Sequence, residues 1–309
     1  MKKLALAAVA AAAMMAGGAQ AYTAGTFSNG VVVPNVIHNG SNLFTGVGLI
    51  SQSVNTIGVF WTFFDQDSGH VTDGCFPMTR KDYEGFVWND ATAGLGLANT
   101  RGYLVFAGGV NAPTTTPATA CAAANSAAIG AGVQLAAHAF TVDTAAHDVA
   151  YLPVIDGNLT IAGDLSTMGP DSLTVVAGAA QHAAAVVGDL TFNMRYFLDA
   201  GASTNIVVWS TGNQQGTHTV NMYDDKQGRK SVNFQLDHSE LDWFDPATIP
   251  GRPANFVDGY IEWSQTAVPT GFSGPAGTDF FTFGGSAFSY SVMNAPAFGA
   301  TQSVLGFHY

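Results

Sequence analysis

The chain of 309 residues is poor in charge, and poorest in positive charge: ten Lys and Arg stand against 22 Asp and Glu, and charged residues make up 10% of the whole. That balance repels nucleic acid and anionic lipid headgroups, and excludes both as partners. Glutamate is nearly missing, with Glu84, Glu240 and Glu262 the only three. Glu favours helices and Asp favours turns and caps, so acids that are almost all Asp point to strands and loops. Past the first 21 residues no apolar run is long enough to cross a bilayer as a helix. No Gly-x-Ser-x-Gly elbow, phosphate loop or dinucleotide fingerprint occurs, and no two His stand at helical metal-binding spacing beside a Glu. These absences favour a chain that is not an enzyme, and no catalytic residue is assigned.

Cysteine occurs twice, at Cys75 and Cys121. In an exported chain the pair implies one disulfide, and closing a loop of that length stabilises the fold by about 4 kcal/mol. Export itself is read from residues 1 to 21: Lys2 and Lys3, an apolar stretch from Leu4 to Met15, and a small-residue cleavage site at Ala19-Gln20-Ala21. Removal of this signal peptide leaves Tyr22 as the first residue and the net charge near −14 by loss of two lysines. The expected location is secreted, extracellular or at the cell surface.

What the chain does have is an internal match. At an offset of 159 residues Thr45 falls on Thr204, Ser51 on Ser210, Asp65 on Asp224 and Gly69 on Gly228; at 158, Phe86 falls on Phe244; at 157, Gly102-Tyr103 falls on Gly259-Tyr260. The matched positions are aromatics, turn aspartates and glycines, which is what folding requires and not what catalysis requires. Asp65-Gln66-Asp67-Ser68-Gly69 and Asp224-Asp225-Lys226-Gln227-Gly228 each read as the turn of a hairpin. Strands are expected around them, at Thr56 to Phe64, Phe76 to Met78, Gly102 to Phe106, Gln134 to Asp143 and Val149 to Ile155, with counterparts in the second half. An acidic-aromatic corner is expected at Asp82 to Trp88 and at Glu240 to Asp245.

Seven or eight short strands per repeat, with turn signals every 8 to 12 residues, is the pattern of an antiparallel β-sandwich. The expected fold is therefore all-β: two tandem immunoglobulin-like sandwiches, at 22–156 and 189–309. Within the first lies an excursion rich in Ala, Thr and Pro at 111–133. Between the two lies a linker at 157–188, in which Leu159 to Ile161 and Leu173 to Val176 could form an edge hairpin and Ala177 to Val187 has helical composition.

Several groupings carry chemistry in principle. Asp65, Asp67 and Asp73 could offer oxygen ligands to calcium, the one cofactor the sequence allows, though the spacing departs from calcium loops and the hairpin turn accounts for it as well. His238 stands among Asp237, Glu240, Asp242 and Asp245, where an imidazole can serve as a base or ligand; a solvated corner is the simpler reading. Trp61, Trp88, Trp209, Trp243 and Trp263 with the many Phe and Tyr could form a sugar-stacking face, with Trp88, Trp243 and Phe244 the ligand candidates; the plainer reading is that the rings fill two cores and these three cover the open ends. Leu305, Phe307 and Tyr309 alternate to the end of the chain, as in the closing strand of an outer-membrane barrel, or as a sheet edge open to strand addition. The favoured function is that of a secreted structural or cell-surface protein, self-associating into a layer or fibre with copies of itself or other surface proteins. An extracellular module for glycan or calcium is the alternative, and an outer-membrane β-barrel a third.

Overall fold

The structure is a computed structural model and describes residues 22, 25–40, 42–92, 95–181, 187–266 and 285–309. The signal peptide assigned to 1–21 lies outside the described residues. The described residues are nearly all β, 55% of them in strands paired antiparallel, and among them the sheets stay open and do not close into a barrel. No helix among the described residues is long and apolar enough to cross a membrane.

The first set of strands is β1 (Gly30–Asn39), β2 (Leu43–Ser51), β3 (Ile57–Asp65), β4 (His70–Met78), β5 (Asp82–Val87), β6 (Thr100–Gly108), β7 (Leu135–Asp143) and β8 (Asp148–Leu152). They form two layers, β4-β3-β6-β1 and β5-β2-β7-β8, joined where β1 and β2 pair only at their hairpin end, His38 to Phe44 and Asn39 to Leu43. A single helical turn, α1 (Trp88–Ala91), follows β5 and buries Trp88. The expected corner at Asp82 to Trp88 is thus a strand, because its backbone pairs with β2 from Gly46 to Ser51.

The second set is β12 (Val187–Phe197), β13 (Ser203–Ser210), β14 (Gly216–Asp224), β15 (Arg229–Leu236), β16 (Leu241–Phe244), β17 (Asp258–Thr266), β18 (Ser286–Ala295), β19 (Ala300–Leu305) and β20 (Phe307–His308). Their order is β15-β14-β17-β12-β20 in one sheet and β16-β13-β18-β19 in the other. Read in sequence order, that is the strand order of the first set, with β20 added at one edge.

Local chemistry repeats with the order. Asp65 Oδ1 accepts from the amides of Asp67 and Gly69 at 3.0 and 2.7 Å, and Asp224 Oδ1 accepts from Lys226 and Gly228 at 3.0 and 2.5 Å. Each carboxylate closes a turn on its own backbone. A Cβ on Gly102 would collide with the carbonyl oxygen of Phe64, and one on Gly259 with that of Tyr223, so both strands need glycine to approach their neighbour.

Between the sets, β9 (Leu159–Ile161) pairs with β10 (Leu173–Val176) as the linker reading foresaw. The helical expectation for Ala177 to Val187 does not hold where it is described: β11 (Ala180–Gln181) pairs with Ala287 and Ser286 of β18, because sheet pairing offers its backbone partners that an isolated short helix lacks. The excursion at 111–133 is a chain of turns held by backbone bonds such as Ala120 N to Thr116 O at 2.8 Å and Leu165 N to Ser126 O at 2.7 Å. Cys121 in that excursion lies at disulfide distance from Cys75 on β4, with Cα atoms 5.8 Å apart.

Candidate functional site

The most elaborate polar constellation lies where the two sets of strands meet. Along β13, Ile206 and Val208 point into the interior of the second set, while Val207 and Trp209 join the core of the first. The same division separates Ala287 from Phe288 and Tyr290 on β18, and Phe244 from Leu241 on β16. A strand shows its alternate side chains to opposite faces, so this sheet is covered on both sides. On its outer face Trp209 meets Tyr103 edge-on, with ring centroids 5.8 Å apart.

Around that contact the polar groups bond across the junction. The Tyr103 hydroxyl donates to Glu240 Oε2 at 2.8 Å and sits 2.6 Å from Ser68 Oγ. The amides of Glu240 and Leu241 both donate to the Gln66 carbonyl, at 3.1 and 3.0 Å. Asp67 accepts from the Ser239 amide at 3.0 Å and faces His238 Nδ1 at 3.3 Å. Farther along, the Arg101 guanidinium lies 3.6 Å from the centroid of Trp243, a cation–π contact, and donates to Asn35 at 2.7 Å; Asn35 in turn donates to the Tyr290 hydroxyl at 2.8 Å.

Burial sets the electrostatics. Loss of water pushes the Glu240 carboxyl up to about 7, against the lowering effect of its bonds from Ser68 and Tyr103. The Tyr103 hydroxyl is held far above its ordinary value by burial and then by the neighbouring Glu240. Burial draws Arg101 down to about 10, opposed by Tyr290 and Asp242. Each of these groups has a partner on the other side of the junction, Tyr103 with Glu240 and Arg101 with Trp243.

The residues singled out from sequence are dispersed. Asp65 closes its own turn, Asp67 faces the second set, and Asp73 pairs with His70 at 2.9 Å. Among the described residues no group of three or more His, Cys, Asp or Glu is placed to hold a metal ion. Trp88 is fully buried against Phe63, with ring centroids 4.5 Å apart, and has no surface to offer a sugar. Trp243 meets the Arg101 guanidinium at 3.6 Å and the His238 ring at 5.7 Å between centroids, and Phe244 packs on Phe234. His238 is not a free corner; it is part of the junction. Sequence reasoning missed both sets of cross-junction contacts, Glu240 with Tyr103 and Ser68, and Arg101 with Asn35, Tyr290 and Trp243. The available signal was the uninterrupted apolar run Ile206-Val207-Val208-Trp209, which marks a strand buried on both faces.

Beside the junction a cleft of about 450 Å³ opens between the β7–β8 and β18–β19 hairpins. Its walls include Asp143, Asp148, Asn205, Asn294, Thr141 and Thr301, with Val292 and Ile37 among its apolar lining. Asp143 and Asp148 are partly committed to backbone amides of Ala145, Ala146 and Val149.

One further face is aromatic and exposed. On the outside of β5-β2-β7-β8 the alternation brings together Tyr83, Gly48, Ile50, His138, Phe140 and Tyr151. Tyr83, Phe140 and Tyr151 are 66%, 41% and 45% exposed, and Phe140 and Tyr151 lie ring to ring at 6.1 Å. None of the six is a carboxylate, Lys or Arg. Comparison with known proteins adds no assignment: no family model matches the chain, and no curated protein matches it.

Proposed function

We propose that this chain is an exported, non-enzymatic structural protein of the cell surface, made of two copies of one immunoglobulin-like sandwich unit, and that it associates with itself. The duplication is supported by the shared strand order, the paired aspartate turns and the glycines at Gly102 and Gly259. Self-association is carried by a single observation: the aromatic outer face of β5-β2-β7-β8, where Gly46 and Gly85 leave open space above the sheet and the exposed Tyr83 ring lies over Gly48. A large contiguous apolar patch exposed on a folded chain is a mark of an interaction surface. The polar groups that catalysis would need are instead spent on the junction, through Glu240, Tyr103, Arg101 and Asn35.

The test is direct. The chain from Tyr22 to Tyr309, passed through size exclusion with light scattering at rising concentration, should grow in mass, and micrographs should show assemblies. A strictly monomeric species at the highest concentration reached would end the reading.

A second reading, an extracellular glycan-binding module, is favoured by the cleft between the β7–β8 and β18–β19 hairpins. Its size and its amide and hydroxyl lining suit a small sugar. A glycan array probed with wild type and with Asn294→Ala decides it: signals lost in the variant support it, and a blank array removes it.

A further inference from the structure

The junction inside the chain joins two different faces of what the duplication makes one unit. The first unit contributes the end of its β3-β6-β1 sheet, with Phe64 stacked on Tyr103 at 5.1 Å. The second contributes the outer face of β16-β13-β18, with Leu241, Trp209 and Tyr290. Each unit owns both kinds of face, so joining two units leaves one of each unused.

The unused face of the first kind lies on the second unit. By the offsets that align the halves, Tyr223 stands where Phe64 does, and Tyr260 where Tyr103 does. The pair repeats the same stack, at 4.8 Å between centroids and 11° between planes. Arg195, ion-paired with Asp258, stands beside it in place of Asn35 and Arg101. Tyr260 is 37% exposed, and Phe307 on the adjoining β20 is 74% exposed. The unused face of the second kind is the aromatic face of the first unit. There Ile50 takes the place of Trp209 and Tyr83 that of Leu241, since Ile50 pairs with Tyr83 as Trp209 pairs with Leu241.

We propose that copies of this chain dock head to tail: the Tyr223–Tyr260 end of one copy seats on the Tyr83, Ile50 and Phe140 face of the next, in the manner of the junction already present within each chain. The occupant of the aromatic face is therefore a second copy. Its seat is heterologous, so each added copy presents a fresh face, and growth continues unless the rotation from copy to copy closes a ring. The inference rests on the self-association proposed above and adds the faces and the polarity.

The experiment uses two surface variants of the chain from Tyr22 to Tyr309, Phe140→Lys on the receiving face and Tyr260→Lys on the inserting one. Both positions are exposed, and circular dichroism establishes that each variant is folded; Tyr151→Lys and Phe307→Lys replace any variant that is not. Each variant alone should stay monomeric at concentrations where wild type assembles, an apparent weakening of about ten-fold or more. An equimolar mixture should form one-to-one dimers and stop, because only one competent seat remains per pair. If either variant alone associates as wild type does, or the mixture stays monomeric while wild type assembles, the head-to-tail seat is wrong although self-association stands. A wild type that stays monomeric overturns both.

Discussion

Replacing Glu240 by Gln tests the junction through its pH dependence. The carboxyl is 3% exposed and its folded value lies near 7, against an ordinary 4.5. Below 4.5 it is protonated in both folded and unfolded chains and contributes no slope. Between 4.5 and about 7 the unfolded chain gives up its proton while the folded chain keeps it, so stability falls as pH rises. Above about 7 both forms are ionised and the full penalty is in place. A displacement of about 2.5 pH units corresponds to about 3 kcal/mol at 1.36 kcal/mol per unit. Gln keeps an acceptor for the Tyr103 hydroxyl and cannot ionise. Urea unfolding at pH 4.5 and pH 8, at low protein concentration, should show wild type losing about 3 kcal/mol more than Glu240→Gln across that range. Groups common to both chains cancel in the comparison. Parallel losses in the two proteins would mean that Glu240 ionises freely in the folded state and that the junction is wet.

Other perturbations follow from the same contacts. Tyr103→Phe leaves the buried Glu240 and Ser68 without their shared partner and should cost about 1–3 kcal/mol by chemical denaturation. Trp209→Ala removes a fully buried ring that packs on Tyr103 and should cost about 3–5 kcal/mol. Cys75→Ser with Cys121→Ser should lower unfolding free energy by about 4 kcal/mol from loop entropy, and the same loss should follow from reductant added to wild type. Asp65→Ala and Asp224→Ala each orphan two turn amides and should cost similar amounts, about 1–2 kcal/mol, if the two turns are equivalent.

The parts of the fold that were legible are those decided locally. A carboxylate two and four residues before the amides it accepts, as at Asp65 and Asp224, writes a hairpin turn into the sequence. Short β-branched runs such as Leu173 to Val176 announce strands even inside a linker. The corner at Asp82 was misread because strand and turn share its mixed composition, and only pairing with β2 decides between them. The junction was not legible because Glu240 and Tyr103 lie 137 positions apart, and nothing near Glu240 marks it as dry. His238, seen only beside its acidic neighbours, read as a solvated corner; its partner Asp67 lies 171 residues away. Trp88 was illegible for the same reason: whether a ring faces water depends on what the rest of the chain lays over it, and Trp88 is covered completely while Trp243 keeps part of its surface.

The central claim is that the contact made once inside the chain is made again between chains, and an engineered cross-link measures it. Ile50 holds the place of Trp209, and Tyr260 that of Tyr103, so Ile50→Cys and Tyr260→Cys in one chain put two thiols at opposite ends of the proposed seat. Under mild oxidation the account predicts a ladder of disulfide-linked multimers, rising one chain at a time and collapsing to monomer on reduction. A product that stops at the dimer, or no intermolecular cross-link while the double variant still assembles, would contradict it.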